Sequence, residues 1–230
     1  SKFQLLRYDL RGHGRTGASS LDHYSMTTFA DDLTSLLDVL EIHSPIICGL
    51  SLGGGIAQMF AVRSPERLSG LILASSAVSI RLTLLDKILC DVLFPEWAMK
   101  LTIKLISVEK FTRFSLGLAR FTQGKHWLGR EDATMKYLEQ CMLQMNSREY
   151  SKIWEAIYGF NLLPLDKIDC PTLVLNGEYE PKNAFHHTQM ILRCIPQSVA
   201  RIVPGASHAM NLENPNGFNK LMEEFIQFSM

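Results

Sequence analysis

The sequence predicts an α/β fold: a mostly parallel, doubly wound sheet with an inserted helical segment. Short apolar runs alternate with amphipathic stretches over the first 74 residues, in the order strand, helix, strand, helix, strand. A long middle stretch, residues 79–164, then reads as successive helices without a strand, and the alternation resumes at residue 172. Strands joined through helices run parallel, and a parallel sheet is covered on both faces.

Each element has its own signal. Residues 3–8 (FQLLRY) are short and apolar and run into the turn-rich Asp9-Leu10-Arg11-Gly12-His13-Gly14, which predicts a buried strand ending in a loop. Thr27 or Thr28 is expected to cap a helix carrying Phe29, Leu33, Leu36, Leu37 and Leu40, with Asp31 and Asp32 at its positive start. Residues 46–48 form a second strand, followed by Gly49-Leu50-Ser51-Leu52-Gly53-Gly54-Gly55 and a helical pattern over 56–62. Residues 68–74 are a third strand. The middle stretch holds helices over 82–93, 98–107, 110–121 and 132–145. After Cys170-Pro171 come a strand over 172–176, a helix over 184–195, a last strand over 199–203 and a closing helix over 218–228. The expected division is a core built from residues 1–78 and 165–230, with residues 79–164 as a helical cap.

Bulk properties narrow the function. The chain has 230 residues, 47% hydrophobic and 20% charged, which suits one core domain plus an insertion. Its 23 basic and 23 acidic side chains give a net charge of zero with no long run of either sign, so nucleic acid is not an expected partner. No stretch of 18 uncharged apolar residues is present, hence no membrane span is expected. The five cysteines, at 48, 90, 141, 170 and 194, are odd in number and widely spread, with no CxxC. Reduced thiols in a cytoplasmic protein are expected, without a zinc or redox centre. His186 and His187 have no Cys or Asp partner at metal-ligand spacing, so no metal or other cofactor is expected.

The residues that carry chemistry start at Gly49-Leu50-Ser51-Leu52-Gly53, a G-x-S-x-G sequence between an apolar strand and a helix. In that context Ser51 sits on a sharp turn, with glycines two residues away on each side to make room for a strained backbone. The turn lifts the hydroxyl above the sheet's carboxyl edge, and the next helix aims its positive end at the site. The N–H of Leu52 is then one oxyanion donor. A serine hydroxyl is a weak nucleophile and needs a general base held by an acid. His208, in Gly205-Ala206-Ser207-His208 just after the last strand, is the expected base. The loop after residues 172–176 offers Glu178 and Glu180; Glu180 is the expected acid and Glu178 the alternative.

Four segments together, Asp9-Leu10-Arg11-Gly12-His13-Gly14-Arg15, Gly49-Leu50-Ser51-Leu52-Gly53-Gly54, Asn176-Gly177-Glu178-Tyr179-Glu180-Pro181 and Gly205-Ala206-Ser207-His208 with Asn211-Leu212-Glu213-Asn214-Pro215, resemble the α/β-hydrolase family. The branch is the capped one, with esterases, lactonases, carbon–carbon bond hydrolases and small-molecule receptors. The resemblance implies that Asp9 and Arg11 tie down loops. It implies that residues 3–8 correspond to the family's fourth strand, and that an earlier strand and a second oxyanion donor precede residue 1, so the natural protein is expected to carry further N-terminal residues. Glu180 stands where the family usually has Asp. A serine at the turn argues against dehalogenases and epoxide hydrolases, which place a carboxylate there.

The middle stretch is rich in Leu, Met and Phe, including Met99, Phe111, Phe114, Phe121, Met135, Met142 and Met145. An apolar lid suits an acyl chain or small ring, and methionine adds adaptability. Trp97, Trp127, Trp154, Tyr137, Tyr150 and Tyr158 are candidates to line a pocket. The expected activity is hydrolysis of a carboxylic ester, lactone or thioester of a small hydrophobic substrate through an acyl-enzyme. Carbon–carbon bond hydrolysis with the same three residues, or a slow-turnover small-molecule receptor, are the alternatives.

Overall fold

The computed structural model describes residues 3–229. Among them lies one sheet of four strands, all parallel, in the order β1-β2-β3-β4. These are β1 (Ile46–Leu50), β2 (Gly70–Ala74), β3 (Thr172–Gly177) and β4 (Ser198–Val203). The two central strands are buried along their whole length, which is why they read as continuous apolar runs. The edge strands β1 and β4 are partly exposed.

Helices α1 (Met26–Val39), α2 (Leu52–Arg63) and α8 (Lys182–Cys194) join one core layer. There Leu71, Leu73 and Val174 meet Leu33, Leu37, Phe60 and Ile191. The opposite sheet face, with Ile72, Ala74, Leu173 and Leu175, is covered by α9 (Met210–Glu213) and α10 (Pro215–Ser229) through Met210 and Phe218. Alternate residues of one strand thus serve two cores, as a doubly wound sheet requires.

Residues 79–164 carry α3 (Leu84–Ile88), α4 (Glu96–Leu105), α5 (Val108–Gln123), α6 (Asp132–Leu143) and α7 (Ser147–Tyr158), and no strand. A wider, π-helical turn, Leu89–Leu93, continues α3. This insertion has its own apolar centre, in which Met99, Ile103, Phe111, Tyr150 and Tyr158 are buried together. It reaches the core through α7, whose Ile153 and Ala156 pack with Phe29 and Ile56. Beneath them Lys152 and Glu149 form a buried pair at 2.5 Å. The Lys152 ammonium also donates to the carbonyls of Ser19 (3.0 Å) and Leu21 (2.9 Å), and the Tyr24 hydroxyl donates to Glu149.

Two expectations are corrected. Residues 3–8 form no strand: they enter no ladder, and Leu5 and Leu6 are exposed. An apolar run becomes a strand only where a neighbouring strand takes its N–H and C=O groups, and β1 pairs with β2 alone among the described strands. The first helix also starts earlier than expected. Ser25 is its cap, accepting from the Thr28 N–H while the Thr28 side chain returns a bond to the Ser25 N–H. Asp31 and Asp32 therefore lie beyond the first turn and do other work, pairing with Arg63 and Arg11.

The loop after residue 8 is held as the resemblance implies. Asp9 accepts from the Arg15 N–H at 2.9 Å, and Arg11 donates to Asp32 and to Ser19. Gly12 and Gly14 take positive φ, of 79° and 43°.

Candidate active site

Because all four strands are parallel, their carboxyl ends share one edge, and each candidate residue follows one of those ends. Ser51 comes straight after β1, Glu180 three residues after β3, and His208 five residues after β4. Ser51 has φ 53° and ψ −114°, an uncommon conformation for a non-glycine residue. Its N–H is tied to the Ala74 carbonyl of the neighbouring strand at 3.0 Å. A side chain at Gly49 would bring its Cβ within 2.2 Å of the Gly53 carbonyl oxygen, so the turn closes only with glycine there. The Leu52 N–H opens α2 and has no acceptor among the described residues, the state an oxyanion donor needs.

Glu180 and His208 meet. Glu180 Oε1 lies 3.1 Å from His208 Nδ1, and both side chains are largely covered. The other carboxylate oxygen accepts from the Asn176 side-chain amide at 2.7 Å, and Asn176 Oδ1 in turn accepts from the Thr188 hydroxyl at 2.5 Å. Burial pushes the Glu180 carboxyl up, but hydrogen bonding and charge from His208, with hydrogen bonds from Asn176 and Ser75, hold it below its ordinary value. A charged carboxylate on Nδ1 fixes the ring and leaves Nε2 for other work. Close backbone packing makes this reach possible: a Cβ at Gly177 would come within 2.2 Å of the Ser207 carbonyl oxygen. Glu178 points elsewhere and accepts from the Gly205 N–H at 2.7 Å, bracing the turn before His208.

The insertion contributes to the same loop. The His208 N–H donates to the Trp127 carbonyl at 3.0 Å, and the Ala209 N–H to that of Leu128 at 3.2 Å. The Trp127 ring packs on the imidazole with centroids 4.9 Å apart. Glu213 accepts from the backbone N–H groups of Ser207 (2.7 Å) and Arg130, tying the two loops together again.

A cavity of about 300 Å³ opens beside His208 and Glu180, walled by Ser76, Ile80, Leu89, Cys90, Trp127 and His187, among others. Its exposed lining is mostly apolar. Ser51 is not part of that wall, and no hydrogen bond joins its hydroxyl to His208 among the described residues. His187 accepts from the Val78 N–H at 3.4 Å, and burial lowers its pKa. Of the aromatic candidates, Trp127 lines the cavity, Trp97 and Tyr137 are exposed, and Trp154, Tyr150 and Tyr158 pack within the insertion. The supporting roles of Thr188 and Ser75 had no sequence signal; Asn176 lies in the same segment as Glu180, and Trp127 is a pocket candidate in the sequence whose contact with His208 crosses the fold.

Comparison with known proteins agrees with the fold and the motifs. The family described as alpha/beta hydrolase fold matches residues 1–215. A putative 2-succinyl-6-hydroxy-2,4-cyclohexadiene-1-carboxylate synthase of Bacillus subtilis is 28% identical over 97% of this chain and 81% of its own. The 3-oxoadipate enol-lactonase 2 of Acinetobacter baylyi is 27% identical over 96% of this chain and 78% of its own. Among solved structures, a thermophilic esterase from Thermogutta terrifontis superposes with a TM-score of 0.78 at 21% identity, covering 96% of this chain and 78% of that one. The protein is therefore an enzyme of the hydrolase class. It belongs to the α/β-hydrolase fold family.

No described helix is long and apolar enough to cross a membrane. All five cysteines are free thiols.

Proposed function

We propose that this chain hydrolyses a carboxylic ester, lactone or thioester of a small hydrophobic substrate through an acyl-enzyme. Ser51 attacks the carbonyl. His208 takes the proton at Nε2 and returns it to the leaving group, and Glu180 steadies the imidazolium from the Nδ1 side. The Leu52 N–H donates to the oxyanion, aided by the positive end of α2. Water then frees the acid by the same route. Residues 79–164 act as a cap over the core of residues 1–78 and 165–230, and the apolar cavity takes the acyl or alkyl part. The likeness to an enol-lactonase fits this reading. The free thiols suit a reducing, cytoplasmic compartment.

The observation that carries the reading is the buried Glu180–His208 contact at 3.1 Å, at the same sheet edge as the strained Ser51. In a catalytic serine site without substrate the serine–histidine bond is often loose and tightens on binding. The test is turnover of p-nitrophenyl acetate and butyrate. Ser51→Ala is expected to abolish it with little loss of stability, and His208→Ala to be about as damaging, because such residues act as a unit. Near-wild-type turnover in Ser51→Ala sinks the assignment.

A further inference from the structure

The wall of the cavity beside His208 holds a second histidine, His187, that the proposed mechanism does not use. It comes from α8, which lines the cavity with Asn183, Ala184 and His187 from one helical face. One contact fixes the ring and places its proton. The Val78 N–H can only donate, so Nδ1, 3.4 Å away, is the acceptor and carries no hydrogen. Val78 is fully buried in the loop after β2, which makes the anchor firm. Burial lowers the ring's pKa, helped by His186 and opposed by the Asp86 and Glu180 carboxylates. The ring is therefore neutral at pH 7, and its one N–H lies on Nε2. Nε2 has no partner among the described residues, and it is not one of the unpaired polar atoms sealed inside the fold. It is an open donor on a residue that lines the cavity.

Other polar groups of the wall are spent on the protein itself. The Ser75 hydroxyl donates to the His208 carbonyl at 3.2 Å, Ser76 Oγ accepts from Gln58 at 2.8 Å, and the Asn183 amide donates to Gln123 at 2.9 Å. Charge narrows what the His187 donor can meet. The acidic side chains of the wall are Asp86 and Glu180, and no Lys or Arg lines it. A substrate carboxylate there would meet like charge while losing its water, a cost nothing in the wall offsets. A ketone, ether or hydroxyl oxygen accepts the same hydrogen bond without that cost.

We propose that His187 is a specificity-determining residue: its Nε2–H binds an uncharged oxygen in the acyl part of the substrate. The cavity then selects oxo-, alkoxy- or hydroxyacyl substrates over plain alkyl ones and over those whose acyl part ends in a carboxylate. A site built to hydrogen-bond a substrate group discriminates against the analogue that lacks it. The selection rests on the acyl-enzyme reading for the bond that is cleaved; the donor subsite itself does not.

The test compares p-nitrophenyl hexanoate with the 4-oxohexanoate and 5-oxohexanoate esters and with the p-nitrophenyl monoester of adipic acid, which ends in a carboxylate. The wild type is expected to favour an oxo ester in kcat/KM and to disfavour the adipate by about tenfold or more. His187→Phe keeps the bulk of the ring and removes the donor. It should cut the ratio of oxo ester to hexanoate by about three- to tenfold, the worth of one neutral hydrogen bond. His187→Gln, whose amide nitrogen can take the place of Nε2, should restore much of that ratio. A role confined to bracing Val78 lowers every ester alike, so an unmoved ratio overturns the proposal. Adipate turned over as well as hexanoate overturns the exclusion of charge. A second readout needs no turnover. The ¹⁵N signals of the His187 ring, assigned by their loss in His187→Phe, should place the proton on Nε2, and that signal should move on titration with 2-octanone. A proton on Nδ1, or no movement, overturns the proposal even where the esters are hydrolysed. Movement without Ser51-dependent turnover keeps the subsite and sinks the acyl-enzyme reading instead.

Discussion

Replacing Lys152 with Met should test how the insertion is fastened to the core. The Lys152 ammonium is almost wholly covered and spends its three N–H groups on Glu149 and on the Ser19 and Leu21 carbonyls. Met keeps most of the side-chain volume but strands a buried carboxylate and two carbonyls. Removing one partner of such a pair costs about 3–5 kcal/mol, of which one orphaned carbonyl alone accounts for about 1–3. For a chain of this length that is a fall in Tm of roughly 6–20 °C. The pH dependence gives a second handle. Burial raises the Glu149 carboxyl, but Lys152 and Tyr24 bring it below its ordinary value of 4.5. In the wild type the pair therefore stabilises fully above that value and fades as pH falls through the lower, folded-state value. In Lys152→Met the lone carboxylate loses its counter-charge and is expected to take up a proton more readily, so the deficit should shrink between pH 7 and pH 5. Urea unfolding at the two pH values measures both quantities. A loss below about 1 kcal/mol at pH 7, or a deficit that grows on acidification, refutes the account. Lys152→Met with Glu149→Leu should recover much of the loss, because both polar partners then leave together.

Glu180→Gln should lower ester turnover strongly, because it removes the charge that faces His208 Nδ1. Glu178→Gln should leave turnover much nearer wild type and cost only the brace on Gly205; a reversed order in steady-state kcat/KM assigns the wrong carboxylate. Gly49→Ala should destabilise by about 1–3 kcal/mol or more, since the added carbon meets backbone rather than a movable side chain. A thermal midpoint equal to wild type would show that the turn is looser than its φ and ψ suggest.

Much of the scaffold is legible in the sequence because its signals are local. The runs around 70–74 and 172–176 announce themselves as central strands, since both of their faces are buried. The glycines flanking Ser51 announce the turn, and chain order places His208 after the last strand. The segment 3–8 has an equally apolar appearance, yet nothing in it states whether a neighbouring strand is at hand, and that decides its fate. Thr28 resembles a cap and so sets the start of the first helix too late; it is the last residue of a four-residue box whose cap is Ser25. Glu178 and Glu180 are chemically alike and two residues apart, and only the path of the loop separates a brace from a neighbour of His208. The Trp127 contact lies 81 positions from His208 in sequence, so no spacing rule reaches it.

That contact has a mechanical consequence. The clasp of 127–128 on 208–209 makes one point of the insertion move as a single body with the imidazole. Any swing that lifts this point drags the His208 ring off the Glu180 carboxylate. A motion of the insertion that keeps the Glu180–His208 contact must pivot about this clasp. On the proposed mechanism the insertion and the general base thus share one hinge, and cutting the clasp should cost turnover as well as stability.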